Sequence, residues 1–180
     1  MRIIFGITGA SGAIYAKKSL EFLAKHAEIH LIISDAARIV IQKELSQDPA
    51  ELSTSATVYD FNDIQAPIAS SSFHFDAAVI IPCSMKTLGM IASGIASNLI
   101  VRVCDVALKE GRKLILMPRE TPLNLIHLEN MVKVKRAGGI ILPAAPGFYH
   151  SPRDLSDLVN FMVGKVSQLL GLPQTFITYE

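Results

Sequence analysis

Short apolar runs alternate along this chain with longer segments in which apolar residues recur every three or four positions. The runs end at small, polar or proline residues, as buried strands do, and the longer segments have the period of amphipathic helices. Strands are predicted at 2–7, 28–34, 77–82, 113–118 and 139–143. Helices are predicted at about 13–26, 36–46, 84–93, 99–111, 123–137 and 155–170. The less regular segment 47–75 is predicted to form surface or lid structure with one short strand near 57–60.

Strand and helix alternate without a low-complexity linker, so residues 1–180 are predicted to form a single α/β domain. Right-handed crossovers then give a three-layer α/β/α sandwich of the Rossmann-like type, with a mostly parallel, doubly wound sheet. In such folds ligands bind beyond the carboxyl ends of the strands, where the connections diverge to opposite faces. The turns that follow the strands are therefore the places to search for a site.

Composition narrows the functional class. Half of the 180 residues are hydrophobic and the mean hydropathy of +0.38 is high for a soluble protein, which indicates a doubly covered sheet and buried subunit interfaces. No segment approaches the roughly 18 uninterrupted apolar residues of a membrane span, and Gly9 and Gly12 interrupt a signal-peptide pattern, so a cytoplasmic protein is predicted. The net charge of +1 predicts no nucleic-acid partner. Cys83 and Cys104 match neither a disulfide framework nor a paired zinc motif, and no metal is expected.

The turn after the first strand is the most informative local feature. Glycines at 6, 9 and 12 let the backbone approach a ligand, and the hydroxyls of Thr8 and Ser11, with the N–H groups that open the next helix, are predicted to bind an anion. The spacing matches neither the G-x-G-x-x-G fingerprint of dinucleotide sites nor the Walker pattern. The turn therefore predicts a nucleotide-like cofactor, with a simple tight turn as the alternative.

Polar side chains follow the other predicted strands as well. Ser34, the segment 84–87, Arg119 with Glu120, and Tyr149 all come shortly after a strand. Because the carboxyl ends of parallel strands meet at one edge of the sheet, these groups are predicted to line one pocket.

Seven segments, in order and spanning nearly the whole chain, resemble the flavin prenyltransferases. They are Thr8-Gly9-Ala10-Ser11-Gly12, Pro82-Cys83-Ser84, Asn98-Leu99-Ile100 with Arg102, Asp105-Val106-Ala107-Leu108-Lys109-Glu110, Pro118-Arg119-Glu120-Thr121-Pro122, Ile126-His127-Leu128-Glu129-Asn130-Met131 and Pro143-Ala144-Ala145-Pro146-Gly147-Phe148-Tyr149-His150. The resemblance implies metal-independent transfer of a dimethylallyl group from dimethylallyl monophosphate to N5 and C6 of reduced FMN. It further implies that the chain forms a homododecamer. The product, prenylated FMN, is then the cofactor of a partner decarboxylase.

The resemblance also assigns residues to roles. Those it implies for FMN binding are Gly9, Ala10, Ser11, Ser34, Ser84, Met85, Lys86, Thr87 and Arg119. Those it implies for the prenyl phosphate are Arg102, Lys109, Arg119, Tyr149 and Lys165, of which Lys165 is an arginine in some relatives. Those it implies for catalysis are Ser11, Glu44, Glu120 and Tyr149. Glu120 is the preferred proton acceptor, and the Tyr149 phenol can donate to phosphate while its ring faces a cation.

Each assignment has a plainer alternative. Glu44 can belong to a solvated helix face, and Glu120 can be a first-turn carboxylate that favours the helix dipole. Arg102 and Lys109 share a helix face with Asp105, so surface ion pairing is an alternative for both. Two other functions also remain, an FMN-dependent decarboxylase of the cysteine type, whose motif Ala96-Ser97-Asn98 faintly resembles, and a non-catalytic FMN carrier.

Overall fold

One sheet of six parallel strands forms the centre of the computed structural model, which describes residues 1–53 and 55–173. The spatial order is β3-β2-β1-β4-β5-β6. The strands are β1 (Arg2–Ile7), β2 (Glu28–Ile33), β3 (Thr57–Tyr59), β4 (Ala77–Cys83), β5 (Lys113–Pro118) and β6 (Ile140–Ile141). The predicted fold class is confirmed, and the described sheet is entirely parallel rather than mostly so.

The described residues form six α-helices. They are α1 (Ala13–Leu23), α2 (Asp35–Leu45), α3 (Met85–Ala92), α4 (Leu99–Lys109), α5 (Leu125–Arg136) and α6 (Leu155–Leu170). Short polar side chains cap five of them by accepting a backbone N–H of the first turn, which explains where each helix begins. The capping residues are Ser34, Ser84, Asn98, Asn124 and Asp154.

The core consists of two apolar clusters, one on each face of the sheet. Alternating residues of β1 feed both, because Ile4 joins the cluster beneath α3, α4 and α5, whereas Phe5 joins the cluster beneath α1, α2 and α6. Both side chains are fully buried. A large-to-small substitution at such a position costs about 2–5 kcal/mol, so the sheet is a rigid platform for its edges.

The chain changes direction at β1. From β1 it moves through β2 to β3 at one edge of the sheet, and then crosses to β4, β5 and β6 on the other side. The switch point of this doubly wound sheet therefore lies between β1 and β4, and the carboxyl ends of these two strands are the expected ligand crevice.

Most elements end within three residues of their predicted bounds, and the two edge strands need comment. The short strand near 57–60 is β3, an edge strand of the main sheet. β6 has two residues rather than five, although the N–H groups of Leu142 and Ala144 still donate to Leu116 and Pro118 of β5. The chain therefore stays beside β5 up to Ala144 and leaves the sheet at its carboxyl edge.

Within residues 1–53 and 55–173, no helix is both long and apolar enough to cross a membrane.

Candidate functional site

The carboxyl ends of β1, β2 and β4 are fastened together by hydrogen bonds. Thr8 Oγ1 donates to the Pro82 carbonyl at 2.8 Å and accepts the Ser84 N–H at 2.7 Å. The Ser34 N–H donates to the Ile7 carbonyl at 3.0 Å. We call this edge, with Thr8, Ser11, Ser34, Ser84 and Thr87, the flavin rim. The prediction that the Thr8 hydroxyl binds an anion is wrong, because this buried hydroxyl already bridges two backbone groups.

Two helices begin at the flavin rim behind serine caps. Ser34 Oγ accepts the Ala37 N–H at 3.2 Å, and Ser84 Oγ accepts the Thr87 N–H at 3.3 Å. Ser84 Oγ also donates to Thr87 Oγ1 at 3.1 Å. The first N–H groups of α2 and α3 have no acceptor within their own helices. Both helix starts thus combine hydroxyls with amide donors that lack an acceptor in their own helix, a set that suits a phosphate group. The start of α2 also carries Asp35, whereas the first turn of α3 has no acidic residue.

Gly9 is needed for packing at this edge. A Cβ atom built on Gly9 would lie 2.4 Å from the Cβ of Ala36 in the first turn of α2. Only glycine therefore lets the turn after β1 approach α2 so closely. The neighbouring Ala10 is buried, whereas Ser11 is exposed.

Glu44, near the end of α2, closes the start of α1. Its Oε2 atom accepts the Gly12 N–H at 2.9 Å and the Ala13 N–H at 2.8 Å, and its carboxylate also bonds the Ser11 side chain. The prediction that the N–H groups opening this helix are free is therefore wrong for Gly12 and Ala13. Glu44 is exposed, as the alternative of a solvated face expects, but its carboxylate is also bound to backbone groups 32 and 31 residues away in the sequence.

The hydrogen bonds determine the charge state of Glu44. Partial burial by itself raises the pKa of this carboxyl, but bonds from Ser11, Ala13 and Gly12, together with the positive charge of Arg119, outweigh it and leave the pKa below its ordinary value. Arg119 reaches the same turn, where its Nε donates to the Ser11 carbonyl at 3.2 Å. Glu44 is thus a stable anion beside Ser11 and a weak proton acceptor.

Glu120 lies at the end of β5 next to Arg119. It is exposed, and its Oε1 accepts the Thr121 N–H at 3.0 Å. The alternative of a first-turn helix carboxylate is wrong, since α5 begins at Leu125 and is capped by Asn124. An exposed carboxylate at the carboxyl edge of the sheet is available to exchange a proton with a ligand.

A second cluster forms around the ring of Phe161 in α6. The Tyr149 ring meets the Phe161 ring edge-on at 5.7 Å, the His150 ring stacks on it at 5.2 Å, and Lys165 Nζ lies 5.5 Å from its centroid. We call these four residues the Phe161 group. It brings together Tyr149 and Lys165, two of the residues predicted for the prenyl phosphate. Tyr149 is 55% exposed.

Arg102 and Lys109 do not join the flavin rim within one chain. The Arg102 guanidinium is held by Asp105 Oδ2 at 2.8 Å and by the Ala69 carbonyl at 3.1 Å. Lys109 Nζ lies 3.8 Å from Glu110 Oε1, so the ion-pair alternative is observed for both residues. Lys109 is the last residue of α4, about 10 Å further along the helix axis, close to the start of β5. It therefore lies toward the amino edge of the sheet, opposite the flavin rim.

Two other features do not offer a rival site at this edge. Burial raises the pKa of the Cys83 thiol to about 12, which leaves it protonated and unreactive at neutral pH. A cavity of about 590 Å³ lies between α1 and the 3-10 turn Pro49–Ser53, and none of the predicted site residues lines it.

Sequence reasoning missed the structural role of Phe161 and the proximity of His150. Both ring nitrogens of His150 are buried without a hydrogen-bond partner in the described chain. A phenylalanine with helical spacing has the same pattern as any core residue, so only the folded chain reveals Phe161 as the platform beneath Tyr149 and Lys165.

Comparison with known proteins finds sequences similar to nearly the whole chain. The Flavoprotein family model matches residues 1–167. The flavin prenyltransferase UbiX of Methanocaldococcus jannaschii is 54% identical over 173 residues, which is 96% of this chain and 94% of that protein.

Solved structures extend the likeness to the full fold. The dodecameric FMN-dependent UbiX-like decarboxylase from Escherichia coli O157:H7 has a TM-score of 0.96 and 39% identity, covering 100% of both chains. AnUbiX (PadA1), in complex with FMN and dimethylallyl pyrophosphate, has a TM-score of 0.95 and 40% identity, covering 99% of this chain and 98% of that one.

Proposed function

The chain belongs to the flavin prenyltransferase family, and we propose that it transfers a dimethylallyl group from dimethylallyl monophosphate to N5 and C6 of reduced FMN. The observation that carries the proposal is the pairing of two donor sets in one fold. The flavin rim supplies hydroxyls and helix N–H groups for one phosphate, and the Phe161 group supplies a phenol and an ammonium for another.

The reaction balances without a metal or a protein nucleophile. The carbon–oxygen bond of the donor breaks, and the phosphate leaves with the bonding electrons. New carbon bonds form at N5 and C6 of reduced FMN, and these two atoms lose their protons. The prenyl alkene takes up one proton as the ring closes, and the phosphate carries away the other. Cations and hydrogen-bond donors that stabilise the departing phosphate therefore lower the barrier.

Side chains of this chain can bind the donor phosphate and accept the proton. Tyr149 and Lys165 would hold the donor phosphate, with the Tyr149 ring also facing positive charge that develops on the prenyl group. Glu120 would accept the proton from the flavin ring, because its carboxylate is exposed and has only one hydrogen bond within the described chain. Glu44, whose pKa is lowered, is the weaker base of the two.

The flavin phosphate would lie at the starts of α2 and α3. Ser34, Ser84 and Thr87 place three hydroxyls there, and Met85 and Lys86 contribute the first N–H groups of α3. Gly9, Ala10, Ser11 and Arg119 form the adjoining turn. This donor set sits at the switch point of the sheet, where α/β folds bind nucleotides.

We also propose that twelve copies of the chain assemble, as in the dodecameric relative. The α5 helix of the present chain buries only Val134, and its residues Leu125 and Ile126 are 69% and 66% exposed. Apolar surface of this kind is typical of an interface between subunits. In such an assembly Arg102 and Lys109 would serve the prenyl phosphate of a neighbouring copy, since Lys109 lies far from the rim of its own chain.

The product would be delivered to a decarboxylase that depends on prenylated FMN. Cytoplasmic location is part of the proposal, and the two buried cysteines, both free thiols, agree with a reducing compartment. Residues 1–180 are proposed to act as one flavin-binding domain.

The test is an anaerobic incubation with reduced FMN and either dimethylallyl monophosphate or dimethylallyl pyrophosphate. We expect the flavin to gain one five-carbon prenyl unit by mass spectrometry, with the monophosphate as the better donor. A flavin that is bound but unchanged with both donors would contradict the proposal and favour an FMN carrier. Release of carbon dioxide from a peptide with a carboxyl-terminal cysteine would instead favour the cysteine-type decarboxylase.

A further inference from the structure

The turn between β1 and α1 has the position of a phosphate site but not its free donors. In dinucleotide-binding α/β folds the pyrophosphate lies at the amino end of the first helix, where unpaired N–H groups and the helix dipole favour an anion. Here Glu44 Oε2 accepts hydrogen bonds from the N–H groups of both Gly12 and Ala13, at 2.9 and 2.8 Å. An anion is thus already present, and it belongs to the protein.

The neighbouring helix starts are closed differently. Ser84, which caps α3, is neutral and the first turn of α3 has no acidic residue, so this helix start keeps its attraction for negative charge. The start of α2 is capped by the neutral Ser34 but carries Asp35 in its first turn. A phosphate that approached α1 would instead meet a like charge and two occupied donors. Helix starts at the flavin rim are therefore unequal, with α1 repelling an anion and α3 the best placed to accept one.

Glu44 is held firmly in this place. Its carboxylate is also bonded by Ser11 and lies near Arg119, whose Nε donates to the Ser11 carbonyl at 3.2 Å. Because Gly9 has no side chain, the same turn packs closely against Ala36 at the start of α2. The carboxylate is therefore supported from both of the elements that it joins.

We propose that the Glu44 carboxylate is a resident anion that makes this site selective for a flavin with a single phosphate and excludes dinucleotides such as FAD. This inference rests on the proposed function for the identity of FMN as the flavin. It assigns Glu44 a role in specificity, through positioning of the turn and through charge.

The test compares the binding of FMN and FAD to the full chain and its variants. Glu44→Ala removes the anion and frees both N–H groups, while Glu44→Gln removes the charge and keeps an acceptor. Glu21→Gln is the matched control, since Glu21 lies in α1 and its carboxylate pairs with Lys18 at 2.7 Å rather than with the start of the helix. Dissociation constants are measured from the quenching of flavin fluorescence, and thermal unfolding is recorded for every variant.

We expect the ratio of the FAD to the FMN dissociation constant to fall at least about tenfold in Glu44→Ala, the change that corresponds to losing roughly 1.4 kcal/mol of discrimination. A smaller fall is expected in Glu44→Gln, and none in Glu21→Gln. A ratio that stays constant in both Glu44 variants would overturn the inference. Equal weakening of FMN and FAD, with a lower unfolding temperature, would also overturn it and leave Glu44 as a structural cap alone.

A second measurement locates the anion directly. Crystals of Glu44→Ala grown with inorganic pyrophosphate should show it at the N–H groups of Gly12 and Ala13, and wild-type crystals should not. Pyrophosphate at that position in both proteins, or in neither, would overturn the inference. A wild-type chain that binds FMN but never prenylates it would overturn the proposed function instead. The ratio of the FAD to the FMN dissociation constant would still test the role of Glu44 in that case.

Discussion

The flavin rim and the Phe161 group are built in opposite ways. At the rim, side-chain hydroxyls bond to the backbone of neighbouring strands, as in the 2.8 Å bond from Thr8 Oγ1 to the Pro82 carbonyl. In the Phe161 group, contacts between rings hold the residues, Tyr149 is 55% exposed, and the nitrogens of His150 have no partner in the described chain. The strand ends of the rim are linked by hydrogen bonds within one chain, whereas the Phe161 group rests mainly on packing between rings.

This difference suggests a division of labour. A rim that is fastened internally is preorganised to bind the flavin at little cost in conformational entropy. A more open region suits a substrate that must enter and a phosphate that must leave. We therefore expect substitutions in the two regions to separate flavin binding from use of the prenyl donor.

The largest effect is expected from Glu120, the exposed carboxylate that follows Arg119 after β5. Glu120→Gln keeps the size of the side chain and removes the base, so the rate of ring closure should fall by about 10²–10⁴-fold while FMN still binds. Rapid-quench mass spectrometry combined with absorbance spectra would follow the adducts, because mass alone does not separate isomers. Wild-type rates would show that Glu120 takes no proton and would leave the released phosphate or Glu44 as the acceptor.

A smaller effect is expected from the Phe161 group. Losing a hydrogen bond to a charged phosphate costs about 1.5–3 kcal/mol, so Tyr149→Phe should raise the donor concentration needed for half-maximal rate about 10- to 150-fold. Lys165→Ala should act similarly, and Lys165→Arg is the control that keeps the charge. FMN binding, measured by fluorescence, should change little in all three. Loss of FMN binding without a donor effect would move these residues into the flavin site.

A third prediction tests whether the open region is completed by other copies. Leu125→Glu combined with Ile126→Glu places charges on the exposed face of α5, which should break a twelve-chain assembly into smaller species by light scattering. Ile64→Glu, at another exposed apolar residue, is the matched control. A monomeric wild-type chain that still prenylates FMN would show that each copy is complete by itself.

The rim could be predicted from sequence in position but not in detail. The continuous apolar runs correctly predict where β1 and β5 begin and end. The parallel arrangement of the strands then brings Ser34, Ser84 and Arg119 to one edge of the sheet. What Thr8 does there depends on Pro82, which lies 74 residues away. The pattern of local residues contains no information about such a partner, so a buried bridge was mistaken for an anion donor.

The same limit explains Glu44. The short segment Gln42-Lys43-Glu44 has the polar pattern of a solvated helix face, and only the packing of α2 beside α1 brings its carboxylate to Gly12 and Ala13. The resemblance to a family drew attention to Glu44 but gave no geometry. Its contacts became evident only from the fold.

The smallest expected effect is the change in the free energy of unfolding when Glu44, beside the flavin rim, loses its charge. The pKa of Glu44 is lower in the folded chain than its ordinary value of 4.5, so the ionised carboxylate stabilises the fold above about pH 4.5 and the contribution is lost as the pH falls through the folded pKa. Glu44→Gln should therefore be less stable than wild type at pH 7 by about 0.3–1 kcal/mol, the usual value of a carboxylate at a helix start. That difference should shrink as the pH is lowered below 4.5. Urea unfolding at a series of pH values measures it, with Glu21→Gln as the control, and a difference that grows on acidification would contradict the bound carboxylate.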